Sequence, residues 1–179
     1  MKYCFVRPSG EVVRSAEFDV VPVPNPIKGV WLIDTAPAYD SKTQILTRDA
    51  VQSVSAPSIT YTVSYRPLVE IKEYKKDLID QEYYAAVSAD VSYMGHPFQA
   101  DEASQALLTA TLVTLNGAGG TPPDFGWWDT NNVKVLMNLA QINGLAQTIF
   151  AQGMVAFATK RARKDLVDVA TKVEDVLAI

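Results

Sequence analysis

Cysteine is nearly missing from this chain: Cys4 is the only one. An intrachain disulfide is therefore excluded, which fits a protein made in a reducing cytosol. Histidine is as scarce. His96 stands alone, so a metal site, which needs three or four ligands, has no second imidazole, and any Ser-His-Asp triad would have to use this residue. Long apolar runs are absent as well. None approaches the roughly 18 residues of a membrane span, and Met1–Glu11 lacks the apolar stretch of a secretory signal. A soluble product of the cytoplasm, without membrane insertion, is the expectation. Positive charge is in deficit, with 16 Lys and Arg against 20 Asp and Glu and a net charge of −4. Nucleic-acid binders carry a basic footprint, so that class is not expected. The one basic cluster, Lys160–Lys164, is followed by Asp165, Asp168, Glu174 and Asp175, which balance it.

The residues that are present point to a folded chain. The 48% hydrophobic and 20% charged residues lie near the globular average, and 179 residues suffice for one ordinary domain or two small ones. The first third reads as β structure. Lys2–Val6 and Glu11–Ser15 flank an Arg7-Pro8-Ser9-Gly10 turn. The proline-rich run 20–29 predicts extended loop or sheet edge, because proline lacks an amide donor. Residues 29–34, 43–51 and 59–67 are further strand candidates. In the last, Ile59, Tyr61, Val63 and Tyr65 alternate with Thr60, Thr62, Ser64 and Arg66.

At Pro67 the pattern changes. Leu68–Val87 is charged, free of glycine and proline, and spaced for a helix that Pro67 can start. Val91 and Tyr93, a Gly95–Pro97 turn and Phe98 predict a short hairpin. Asp101 is placed to cap a helix over 103–115, and the glycines after Asn116 to end it. A second hairpin pairs Trp127 and Trp128 with Val133 and Val135. Asn138 can cap a helix beginning at Leu139. From Leu139 to Ile179 no proline occurs and glycine only at 144 and 153, predicting one long helix or two joined near Gly153. Val155, Thr159, Ala162, Leu166, Val169, Val173 and Val176 repeat at 4, 3, 4, 3, 4, 3, a heptad seam. The expected fold class is α+β: a small β-rich region over 1–66, then over 67–179 a helical domain with two short β-hairpins and a long C-terminal helix or helix pair.

No chemistry outranks structure at any candidate position. His96 reads as a turn residue and Asp101–Glu102 as helix-start carboxylates favoured by capping and the dipole. The 116–120 glycines lack the Gly-Lys-Ser/Thr ending of a phosphate loop. No catalytic residue, metal ligand or cofactor is expected, and an enzyme is the least supported class. Adjacent residues on a strand face opposite ways, so one of Trp127 and Trp128 should enter the core and the other face outward. Trp127, Trp128, Leu166, Val169, Val173 and Val176 are the candidate interface residues.

Gly95, Phe98, Asp101, Ser104, Gln105, Trp127, Asn131 or Asn132, Val135 and Leu139 follow one another in an order that resembles a domain of unknown function common in phage and prophage tail proteins. Upstream, Tyr39, Asp40, Thr43, Gln44, Tyr61 and Val63 look like a stretch frequent in tail-fibre and baseplate-associated proteins. The Gly-Gly-Thr-Pro-Pro loop and the doubled tryptophan depart from the pattern. The resemblance implies a structural tail component, fibre or baseplate-associated, carrying no catalytic residues. It implies a homo-oligomer, a trimer as fibres often are, with other tail proteins as partners and the virion tail as its place. The alternatives are a tail-fibre assembly chaperone or a receptor- or sugar-binding tip.

Overall fold

The computed structural model describes residues 1–20, 22, 29–56 and 58–179. Most of the proline-rich run lies outside them. The fold is α+β, as the patterning predicts, and divides into two compact units, Met1–Ile71 and Lys72–Ile179.

In the first unit, β1 (Lys2–Val6) is the central strand of a three-stranded antiparallel sheet between β2 (Val12–Glu17) and β3 (Val30–Ile33). Inner positions of β1 and β3 supply Cys4, Val6 and Leu32 to a small core that Ile59, from outside this sheet, completes. The Arg7–Gly10 turn closes with the Gly10 amide donating to the Arg7 carbonyl at 2.8 Å, and Gly10 takes a left-handed φ of 86°. A separate hairpin pairs β4 (Gln44–Arg48) with β5 (Tyr61–Tyr65). Its entry is the Tyr39-Asp40-x-x-Thr43-Gln44 stretch, whose residue types are set by hydrogen bonding. The Asp40 carboxylate accepts from the Lys42 amide at 2.9 Å and the Thr43 hydroxyl at 2.7 Å, while the Gln44 side chain accepts from the Asp40 amide at 2.9 Å.

The second unit holds most of α1 (Leu68–Ser88), a 21-residue helix, and then β6 (Val91–Tyr93) and β7 (His96–Phe98), joined by a two-residue turn. Both turn residues have positive φ, 52° at Met94 and 79° at Gly95, the primed geometry that matches strand twist. The turn is thus one residue earlier than expected, and His96 and Pro97 belong to the strand. Pro97 is tolerated because a two-stranded ribbon is all edge. Asp101 caps α2 (Glu102–Ala118), accepting from the Ser104 amide at 2.9 Å, and Gly119 ends it at φ 74°. β8 (Gly126–Trp128) and β9 (Lys134–Leu136) form the second hairpin.

Asn138 and Gln141 then exchange a capping box at the start of α3 (Leu139–Val169). Gly153 lies inside this helix without interrupting it. The chain instead leaves helical geometry at Ala170, with ψ 135°, and resumes as the short α4 (Val173–Ala178). The break carries no glycine or proline. It falls among β-branched Val169, Thr171 and Val173, which favour helix weakly. The Asp168 carbonyl, which a continuing helix would use internally, accepts instead from the Lys72 ammonium at 2.8 Å.

The core of the second unit gathers Val91, Phe98, Ala100, Leu108, Leu115, Val135, Met137, Ile142, Leu145 and Ile149. Both hairpins, α2 and the first third of α3 therefore share one apolar centre. Gly144 belongs to this packing: a methyl there would lie 2.9 Å from Cζ of Tyr93, so only glycine lets the ring seat on the helix. Phe98 is 0% exposed. Phe98→Ala should therefore cost about 3–5 kcal/mol in denaturant unfolding; a loss within the surface range of about 0.5 kcal/mol would contradict this core assignment.

Candidate functional site: the exposed length of α3

Asp34 is the most enclosed charge in the first unit, with a side chain 2% exposed. It accepts from the Tyr61 hydroxyl, from the Cys4 thiol at 3.3 Å and from Arg48 at 3.1 Å, and Lys2 lies 3.1 Å away. Burial alone would raise the Asp34 carboxyl. The hydrogen bonds from Tyr61, Cys4 and Lys2, with the Arg48 charge, overcome it and hold the group below the usual carboxylate range. Burial, reinforced by Asp34 against an opposing bond from Ser15, pushes the Cys4 thiol up. The cluster ties β1 and the residue just after β3 to β4 and β5. Its members stand at positions 2, 4, 34, 48 and 61, with no spacing that would announce it.

His96 pairs with a carboxylate in the turn between β8 and β9. Its Nδ1 lies 3.1 Å from Oδ2 of Asp129, which is 5% exposed. The other Asp129 oxygen accepts from the Asn131 and Val133 amides, both at 2.8 Å. Those backbone donors, Val133 first, hold the Asp129 carboxyl below its ordinary value despite the opposing effect of burial. The Thr130 amide donates to the Pro97 carbonyl at 3.0 Å. The pair thus clamps the two hairpins to each other. Among the described residues no group of three or more His, Cys, Asp or Glu could hold a metal ion.

The candidate interface residues separate. Trp127 is half-buried against the core, whereas Trp128 is 60% exposed, as strand alternation requires. The heptad seam is not one stripe. Val176 is fully buried in α4 and Val173 half-buried beside it, both beyond the break at Ala170. On α3 the seam positions Val155, Thr159, Ala162, Leu166 and Val169 all lie exposed. More broadly, no α3 residue from Phe150 to Leu166 is buried. Phe150 and Val155 are each 68% exposed, and Met154, Phe157 and Leu166 about half. This unburied apolar length makes α3 the candidate interaction surface.

This stretch is held in place by polar ties to α1. Lys160 and Lys164 reach the two oxygens of Asp80 at 2.8 and 2.7 Å. Arg163 pairs with Glu82, and Lys76 with Asp168. Gln152 donates to the Ala86 and Ala89 carbonyls at 2.9 and 2.8 Å. The basic cluster is therefore consumed within the chain. Between the ties a groove of about 740 Å³ opens, walled by Tyr83, Ala86 and Ala89 on one side and Ala151, Val155 and Ala156 on the other. A second groove of about 500 Å³, bordered by Leu108, Phe150, Met154 and Phe157, lies on the far flank of α3.

The candidate site is thus an apolar surface on the second of two compact units. That unit carries the family assignment: residues 70–179 match the family described as a domain of unknown function, DUF4376, and the chain belongs to that family. No curated protein and no solved structure matches it.

The acid response derives from the ties. Hydrogen bonds from Lys160, then Lys164, hold the Asp80 carboxyl below its ordinary value, and Lys76 does the same for Asp168. A depressed carboxyl contributes stability above the unfolded value of about 3.9, and the contribution is lost as pH falls through the folded one. Asp80→Asn should therefore lower the unfolding temperature at neutral pH, with the gap to the unaltered protein closing in acid. A gap independent of pH would show that the ties do not hold α3.

Proposed function

We propose that the protein is a structural subunit of a phage tail or related tail-like particle, fibre or baseplate-associated, and that it works by protein–protein assembly rather than catalysis. The observation that carries the assembly reading is the Phe150–Leu166 length of α3, apolar on one face and unburied in the single chain. Burying such a face recovers about 25 cal/mol per Å² of apolar surface before the costs of association. The tail setting rests on the motif order from Gly95 to Leu139, not on the shape of the surface. Copies of the chain associate through α3, and other tail proteins are the further partners.

A tip that binds sugar is the second reading, favoured by the exposed Trp128 ring. Titration with host polysaccharide should leave tryptophan fluorescence unchanged if assembly is the whole function, and quench or shift it if the tip reading holds. For the main reading, Val155→Asp with Leu166→Asp should lower the molar mass measured by light scattering. Both side chains are exposed, so the fold is retained. An unchanged mass would contradict association through α3. Mass spectrometry of purified particles should find the subunit in constant stoichiometry; its absence would point to an assembly chaperone.

A further inference from the structure

We infer that the α1–α3 groove is the seat for α3 of a second copy, so that two chains exchange helices about a two-fold axis. The inference rests on the assembly reading and deepens it by naming the receiving surface.

Groove and ridge lie side by side on one face. Val155 and Ala156 line the groove, and Ala158, Ala162 and Leu166 stand exposed next to it on the same helix. A face that carries both a groove and a ridge complements itself, which is the condition for an isologous two-fold interface. Small residues on the ridge let it enter between helices, as ridges-into-grooves packing requires.

The charges permit like faces to meet. Lys160, Arg163 and Lys164 would repel their copies across a two-fold axis, but each is paired within its own chain, to Asp80 or Glu82. Arg161 is similarly opposed by Asp165 at 3.9 Å. Asp80, Glu82 and Asp165 thus offset all but one of the four positive charges on this face.

The size is also sufficient. Phe150–Val169 runs about 30 Å, and two helices side by side present a strip about 20 Å wide, so about 600 Å² of face per copy. Two such faces together come to about 1,200 Å², the lower end of specific interfaces. This arrangement replaces the three-fold packing that the tail resemblance implies.

The test separates groove from ridge. Ala86 is an exposed groove wall on α1, far in sequence from the ridge, and arginine is a good helix former there. Ala86→Arg, and independently Ala89→Arg, should convert a species of about twice 19.6 kDa to one of 19.6 kDa in light scattering, with circular dichroism unchanged. If both keep the parent mass while the ridge variant Ala162→Asp with Leu166→Asp lowers it, the groove assignment is overturned and association through α3 stands. If the ridge variant also keeps the parent mass, both are overturned. A parent mass of three chains overturns the two-fold exchange.

Discussion

The two oxygens of Asp80, each held by a lysine one helical turn from the other, set the geometry on which the rest of the second unit's surface depends. Lys160 and Lys164 come from α3 and Asp80 from α1, so the contact ties one helix to the other through long side chains, alongside the buried Ile71 and Ile79 of α1 and Val167 of α3. Arg163 with Glu82 and Gln152 with the end of α1 continue the same mode of attachment. Long polar side chains keep two helices linked but apart. The groove and the unburied apolar length of α3 are consequences of that spacing, since closer packing would have buried Val155 and Ala156 against α1.

The first part of α3 is held differently. Ile142, Leu145 and Ile149 sit in the core with Phe98 and the two hairpins, while the segment beyond them projects along α1. The helix therefore changes role along its length, from core element to surface. Val167 returns to a fully buried position near the break, so the exposed length is bounded at both ends by anchored residues. A frayed terminus would not be anchored in this way.

Much of this was legible where the determining interactions are local. The caps at Asp101 and Asn138 depend on residues three positions away, and the opposite fates of Trp127 and Trp128 on strand alternation. The turn before His96 was misplaced by one residue because its geometry accepts Met94 at a positive φ, a position that the sequence does not mark. The end of α3 was illegible for a different reason: Lys72, distant in sequence, takes up the carbonyl of Asp168. The heptad spacing ran on past this break, and so joined the buried Val176 to positions that lie in solvent. Asp34 and its partners were equally hidden, since five residues scattered over the first unit meet only after folding. The basic run at Lys160–Lys164 looked balanced by the acids that come after it, yet most of its partners are the carboxylates of α1.

On the proposed assembly function, the isolated chain is not the working unit. The molar mass of the unaltered protein, followed by light scattering over a range of concentrations, tests that most directly. A mass above the 19.6 kDa of one chain is expected, reached or approached as concentration rises. A mass that stays at 19.6 kDa up to the highest concentration attainable would contradict it.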